Sequence, residues 1–462
     1  MKRVVAMVVL LAGCAVGPDW QQPKVDTPPA WRIEYAQAAD LANARWWQAF
    51  GDPVLDNLVE DALRQNRDLV QAAARVEQFL GALRTTRSQF YPQFSYSGNA
   101  SRQRTSEERS FSVYEAALGA AWQIDLFGRV RRQAEATQAQ VYASEQGRRG
   151  VVLSVVASVA TAYLALRALD RQLEIARATE KNYLGSLQIF EARHKGGTVS
   201  ELERSQVESQ YRQAAAAVPA FERQVAQQEN LLSVLLGRNA GAIPRGRPIE
   251  QLADPAIPPG LPASLLERRP DVLQAEQNLR AANATIGVAK SLYFPTLSLT
   301  GLLGVSSGSL GDFSRSNSGT GSLVGSLVGP IFTFGAIEGQ VASAEAARIE
   351  ALAFYQQVVL NAFRDTNDAL VGVQKLREEY DALAKRALAL RSYARLSRAK
   401  YQGGATGYIE VLYAENELFA AELNAISTLA QRHAELVNLY KALGGGWVDA
   451  VDPLAPPPKE KQ

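Results

Sequence analysis

The sequence is short of the residues that usually do chemistry. Its 462 residues include one cysteine, Cys14, two histidines, His194 and His433, and two methionines. One cysteine excludes a disulfide framework. Three Cys and His residues scattered this widely cannot build the four-ligand site of a structural zinc. There is no G-x-S-x-G, no Walker loop (GxxxxGK[S/T]) and no H-E-x-x-H. No enzyme chemistry and no cofactor is therefore expected, and scarce His and Met argue against a dedicated copper or silver route. Charge of one sign is lacking too. Lys and Arg number 49 against 47 Asp and Glu, a net charge of +2, which argues against a nucleic-acid partner. No apolar run is expected to reach the roughly 20 residues of a membrane-spanning helix. A β-barrel stays open, because its strands alternate and keep average hydropathy low. The 47% of hydrophobic residues excludes a disordered chain.

The N-terminus reads as an address. Lys2 and Arg3 precede the apolar stretch Val4 to Ala12, and Leu11-Ala12-Gly13-Cys14 follows. This is the layout of an exported precursor, and it resembles a bacterial lipobox, in which cleavage leaves a lipid-carrying cysteine at the new N-terminus. Residues 1–13 are then a signal peptide and Cys14 the lipidation site. Ala15 in place of Asp is compatible with the outer membrane.

The chain is written twice. Leu63, Asp68, Gln71, Ala72, Ser88, Pro92, Ser95 and Gly98 reappear 203 residues on as Leu266, Asp271, Gln274, Ala275, Ser291, Pro295, Ser298 and Gly301. Further along the offset is 207: Phe127-Gly128 answers Phe334-Gly335, Glu203 answers Glu410, and Leu236-Gly237 answers Leu443-Gly444. Six segments follow: the signal peptide, an anchored N-terminal stretch 14–62, a first repeat 63–241, a Pro-rich linker 242–262, a second repeat 263–446 and a tail 447–462.

Two proline-free runs, from Arg129 to about Lys195 and from Ala336 to Gln402, are rich in good helix formers. At 1.5 Å per residue each makes a rod of roughly 100 Å, a length that calls for a tubular or coiled-coil-like assembly. Gly196-Gly197 and Gly403-Gly404 are C-cap signals, after which the chain returns along Ser200–Gly237 and Gly407–Gly444. Pro219 should kink or divide the first return helix. Ser200-x-x-Glu203 reads as a capping box, whereas Gly407 leaves Glu410 without a hydroxyl partner.

Four strands of about 10 residues are expected in Gln93–Gln103, Val113–Asp125, Thr296–Val305 and Gly321–Thr333. Alternation alone fits a soluble sandwich equally well. The aromatics near the strand ends, among them Phe90, Tyr91, Phe127, Tyr293, Phe294, Phe332 and Phe334, suggest an interfacial girdle. Four strands cannot close a barrel, and an open edge in lipid strands backbone groups, so several copies would have to complete the ring.

Several blocks occur in one order: Cys14-Ala15-Val16-Gly17-Pro18-Asp19-Trp20, Trp46-Trp47-Gln48-Ala49-Phe50-Gly51-Asp52-Pro53, Leu266-Glu267-Arg268-Arg269-Pro270-Asp271-Val272 and Tyr293-Phe294-Pro295. Together they resemble the outer-membrane efflux family, in particular the lipoprotein channels of tripartite resistance-nodulation-division pumps. The resemblance implies an α+β membrane protein in the bacterial outer membrane. It would be a homotrimer in which four strands per chain complete a β-barrel, continued by a long α-helical barrel with a mixed equatorial region. It implies a periplasmic adaptor and an inner-membrane resistance-nodulation-division transporter as partners, outer-membrane lipid around the barrel, and passive conduction of small molecules. The alternatives are a duct for polypeptide secretion or a scaffold.

The resemblance also points to adaptor docking at Gly196, Gly197, Gly403 and Gly404, and to a periplasmic gate on the last return helix at Glu410, Tyr413, Glu415 and Asn416. Family members often carry Asp where Tyr413 stands and Arg where Asn416 stands. Glu410 has a plainer reading as a helix N-terminal acid. Arg268, Arg269, Pro270 and Asp271 read as a structural corner: the residue before proline leaves helical space, and Asp271 can cap the helix that follows.

Overall fold

A computed structural model describes residues 15–24, 45–104, 110–255, 268–315 and 317–445. Cys14, the signal peptide, the last third of the Pro-rich linker and the tail lie outside the described residues. After a short 3-10 turn at Trp46–Phe50, the chain forms α1 (Pro53–Gln65), α2 (Arg67–Ser88), β1 (Gln93–Arg104), β2 (Ser110–Ile124), α3 (Arg129–Lys195) and α4 (Glu201–Leu235). Then come α5 (Pro270–Ser291), β3 (Thr296–Ser307), β4 (Gly319–Val328), α6 (Ala336–Gln402) and α7 (Tyr408–Ala442). The repeat holds to the residue in the helices: α2 and α5 have 22 residues, α3 and α6 have 67, α4 and α7 have 35.

Two compact units cut across this repeat. One gathers the described residues of Met1–Val25, Arg75–Gln146 and Leu273–Val358; the other those of Asp26–Ala74, Gly147–Val272 and Val359–Gln462. Each draws on both halves of the sequence.

The first unit holds one antiparallel sheet in the order β1-β2-β3-β4. Residues directly opposite in adjacent strands share a face. Phe94–Ala120–Gly301–Leu323 and Tyr96–Leu118–Leu303–Gly321 form two rows of one face, with Trp122–Leu299–Gly325 beside them. Ser95–Gly119–Leu302–Ser322 and Gln123–Ser298–Ser326 lie on the other. The first face is the apolar one, and it is bare: Phe94 is 82% exposed, Tyr96 88% and Leu323 82%. The outer edges of β1 and β4 have no strand partner within the described residues.

The core of the second unit gathers around Trp46, Trp47 and Phe50, the buried face of α1, the middle of α3 and the C-terminal halves of α4 and α7. Trp46 stacks on Tyr440 at 5.2 Å between ring centroids. Asp52 is the hub. Its Oδ1 accepts from Val54 N at 3.0 Å, capping α1, while Oδ2 accepts from Tyr163 Oη at 2.7 Å and Arg247 N at 3.0 Å. Burial, followed by the neighbouring carboxylate, holds the Tyr163 phenol above its ordinary range. Gly246 has no room for a side chain, because a Cβ there would meet the Asp52 carboxylate. The Trp-Trp block is thus a folding element. The described part of the Pro-rich stretch is also more than a connector: Ile243, Ile249 and Leu252 join the same core.

Two expectations need correcting. One helix, α3, does contain a stretch long and apolar enough to cross a membrane, contrary to the sequence reading. That stretch is 72% buried inside the fold, and Val152, Val156, Val159, Tyr163 and Leu166 of the region form the core; packing, not lipid, explains its hydrophobicity. Second, Pro219 does not divide α4, which runs unbroken from Glu201 to Leu235. A proline there forfeits one backbone bond, but Val218, Phe221 and Val225 around it pack on the core, and that burial holds the helix together.

Candidate functional site

The two Gly-Gly turns are built alike. In the first, Gly197 sits at φ 71° while Gly197 N donates to His194 O and Thr198 N to Arg193 O, both at 2.9 Å. In the second, Gly404 sits at φ 74° while Gly404 N donates to Tyr401 O at 3.0 Å and Ala405 N to Lys400 O at 2.9 Å. This is the C-terminal stop in which a left-handed glycine lets the following amides reach back to the last free carbonyls. A Cβ at Gly197 or Gly404 would meet nothing within 4 Å. The glycines are there for backbone conformation, and the space beyond them is open.

Under the turns lies a small apolar cluster of Leu187, Phe190, Val207, Tyr408, Val411 and Leu412. Phe190 meets Tyr408 at 4.3 Å between centroids, and Tyr401 meets Tyr408 at 4.9 Å. Arg193 Nη1 donates to Tyr401 Oη at 2.8 Å, and Gln210 Nε2 to the Leu412 carbonyl at 2.8 Å. The helical hairpin of each repeat is therefore tied to the other at this end.

The four candidate gate residues do not share one environment. Glu410 accepts a 2.5 Å hydrogen bond from Tyr393 Oη on α6, and that bond raises the Tyr393 phenol above its usual range. Tyr413, one turn further along α7, is 60% exposed. Glu415 turns inward to an ion pair with Arg398 Nη2 at 2.5 Å, its side chain 13% exposed. Burial is the largest influence on its carboxyl and raises the pKa, with Arg398 pulling the other way. Among the described residues its Oε2 has no hydrogen-bond partner, and neither has the nearby Tyr183 hydroxyl. Asn416 is half-buried. Glu410 and Tyr413 are brought together with Tyr393, while Glu415 belongs to a separate, interior pair.

Ser200 and Glu203 form the expected capping box: Ser200 Oγ accepts from Glu203 N, and Glu203 Oε2 accepts from Ser200 N at 2.9 Å. The α7 N-cap, Gly407, makes no side-chain bond. Tyr393 and Arg398 were missed from sequence. The antiparallel course of α6 and α7 about Gly403-Gly404 does not single them out, because paired positions differ by four to six residues in their distance from the turn. Arg391–Glu422 at 2.6 Å and Arg386–Glu417 at 2.8 Å extend this cross-helix pairing. Nothing in the arrangement pairs a nucleophile with a base, and no group of three His, Cys, Asp or Glu could hold a metal among the described residues. What it offers is a cluster of phenols and carboxylates near the turns.

Arg268 to Asp271 lie elsewhere, at a corner. Arg269 Nη1 donates to the Ala442 carbonyl at the end of α7, at 3.2 Å, and its Nε and Nη2 fork onto Asp271 at 3.0 and 2.7 Å. Asp365 adds a longer contact at 3.4 Å. Pro270 opens α5, so Asp271 is inside the first turn, where Oδ1 accepts from Val272 N. It orients Arg269 instead of standing at the N-cap as expected. Gly444, at φ 82°, presses its backbone against Arg268, whose carbonyl a Cβ would meet at 3.0 Å.

A family model described as outer membrane efflux protein matches residues 58–238 and 261–445. The toluene efflux pump outer membrane protein TtgC of Pseudomonas putida is 34% identical over 95% of this chain and 94% of its own length. The probable outer membrane lipoprotein SilC of Salmonella typhimurium is 31% identical over 96% of this chain and 98% of its own. The open-state structure of the Neisseria gonorrhoeae MtrE outer membrane channel superposes with a TM-score of 0.87 at 30% identity, covering 94% of this chain and 99% of MtrE.

Proposed function

The chain belongs to the outer membrane efflux protein family, and from that membership we propose how this particular chain makes its channel. It is an outer-membrane channel of an efflux pump. Three copies close a twelve-stranded barrel, each lending its four strands, and the long helices of all three continue it as a tunnel through the periplasm. The observation that carries this reading is the sheet: one face apolar and bare, with both outer edges unpaired among the described residues. In lipid every backbone group must find a partner within protein, so β4 of one copy pairs with β1 of the next. Leu202, Leu396, Ile409 and Tyr413, exposed on the helices near the turns, support copy-to-copy packing at that end as well.

Glu410 and Tyr413, with Tyr393 behind them, form the closed gate, and an adaptor seated on the Gly-Gly turns opens it. An inner-membrane transporter supplies the cargo. Relatives are named for toluene and for antibiotics, and the cargo here is of that kind, small toxic organic molecules chosen by the pump. Cys14 carries the lipid, as the description of SilC as a lipoprotein supports.

Native mass spectrometry of detergent-extracted protein is expected to give three copies, and a well-behaved membrane monomer would refute the barrel. In single-channel recordings, Tyr413→Ala should raise conductance and Glu410→Gln should weaken cation preference. Wild-type behaviour in both variants would place the gate elsewhere. A deletion strain should become susceptible to drugs or solvents; lost polypeptide secretion with unchanged susceptibility would favour the secretion duct instead.

A further inference from the structure

The residues just after Cys14 are strapped down with unusual thoroughness. Val16 N donates to the Phe127 carbonyl at 3.3 Å. The Arg132 guanidinium, whose side chain is 8% exposed, donates to Val16 O and Gly17 O at 3.3 Å each and to Asp19 Oδ1 at 2.7 Å. Asn283, itself buried, donates to Pro18 O at 3.1 Å. Gly17 sits at φ 108°, and a Cβ on it would come within 2.4 Å of Gly287 Cα on α5. Ala15 rests on Gly128, where a Cβ would meet Ala15 Cα at 2.9 Å. A five-residue strap is thus held by α3 of the first repeat and α5 of the second.

Beside this strap is a cleft of 170 Å³ at the strand ends. Its apolar lining includes Ile124, Leu126, Phe127, Leu292, Phe294 and Val328, with the Phe127 and Phe294 rings stacked at 4.7 Å. Its one acidic group is spoken for: Asp125 accepts from Val130 N and Arg131 N, capping α3. The cleft therefore offers an apolar wall and no free carboxylate. Ala15, the residue that follows Cys14 in the chain, touches Gly128, which lies between lining residues Phe127 and Arg129.

We propose that this cleft seats an acyl chain of the lipid carried by Cys14, with the strap and its Arg132 clamp fixing where that chain enters. The proposal rests on the lipidation of Cys14. The strap holds the residues that follow Cys14, the cleft lies beside the first of them, Ala15, and the apolar part of its lining matches hydrocarbon. The lipid then fills the junction where the two repeats meet the sheet, in addition to tethering the protein.

The test uses cells fed a fatty acid bearing a photoactivatable diazirine and an alkyne. The full-length protein is purified in detergent, irradiated and mapped by mass spectrometry. Intact mass first establishes whether Cys14 carries lipid; an unlipidated Cys14 refutes the lipidation reading and the proposal with it. With lipid present, crosslinks should concentrate in peptides spanning 123–129 and 291–296. Lipidated protein whose crosslinks spread evenly over the strands, or fall only on phospholipid, would overturn the cleft alone. Gly17→Val, which wedges the strap off Gly287, should keep the lipid and lose most of those crosslinks. The milder Arg132→Gln, in case Gly17→Val fails to assemble, should reduce them in the same peptides. Unchanged crosslinks in a folded, lipidated variant would show that the strap does not guide the chain.

Discussion

The two repeats fold alike and are fastened differently. At the corner of the first, Asn66 Nδ2 donates to the Leu235 carbonyl at 2.8 Å, while its Oδ1 accepts from Asp68 N and Leu69 N at 2.8 and 3.2 Å. At the corner of the second, the same place is held by Arg269, which reaches the Ala442 carbonyl and brings Asp271 and Asp365 with it. Gly237 and Gly444 stand under both, at φ 71° and 82°. Backbone geometry is kept where a close approach demands it, and the fastening above it is free to be neutral or ionic. The turns differ in the same way. Glu203 is spent on its own helix N-terminus, whereas Glu410, with Gly407 as its N-cap, is free to hold Tyr393. An asymmetry of two side chains leaves one hairpin of the pair a carboxylate that bonds across to the neighbouring helix instead of capping its own.

The largest break in this comparison should come at the corners. Arg269→Ala leaves a helix-end carbonyl without its donor and two partly exposed carboxylates without their cation, and is expected to cost about 3 kcal/mol. Asn66→Ala removes a cap and one long-range bond and should cost about 1–2 kcal/mol. Denaturant unfolding of the detergent-solubilised protein measures both, and equal losses would show that the two corners are not different fastenings.

The next effect is in pH. His433 on α7 occupies the place that Ala226 holds on α4. Burial, with Arg432 beside it, pushes its pKa down to about 4. The folded state then keeps the ring neutral while the unfolded chain protonates it below about 6.5, so stability falls as pH drops from about 6.5 to about 4. The full loss is about 3 kcal/mol. His433→Leu should flatten that slope by one proton between pH 6.5 and 4; an unchanged slope would assign the acid sensitivity to other groups.

Smaller still is Pro219, which faces Ile426 in the repeat register. Pro219→Ala restores a backbone donor and should raise stability by about 1–3 kcal/mol, read as a higher unfolding temperature. A destabilised variant would mean that the ring itself is packed tightly enough to matter. The finest probe is the pair of N-caps. Ser200→Ala should lose about 1 kcal/mol, and Gly407→Ser should gain about 0.3 kcal/mol. The second change should also draw Glu410 back onto its own helix and weaken cation preference in single-channel recordings, making the second hairpin behave like the first.

Sequence by itself determined the elements and their repetition. Helix propensity without proline marked both ends of α3 and α6, because the Gly-Gly stops and Phe-Gly exits are local chemistry. Alternation placed four strands to within a few residues, since side-chain direction along a strand follows from backbone geometry alone. The capping box at Ser200 and Glu203 was legible for the same reason. Tertiary structure decided the rest. Whether the apolar stretch of α3 met lipid or protein depended on what packed around it, and Trp47, Phe50 and Leu55 lie in the core it joins. The effect of Pro219 depended on the burial of its neighbours. Tyr393 as the partner of Glu410, Arg398 as the partner of Glu415, and Arg132 as the clamp on the strap are contacts between positions far apart in the chain. Such contacts are set by how helices settle against one another, and no local pattern of residues encodes that rotation.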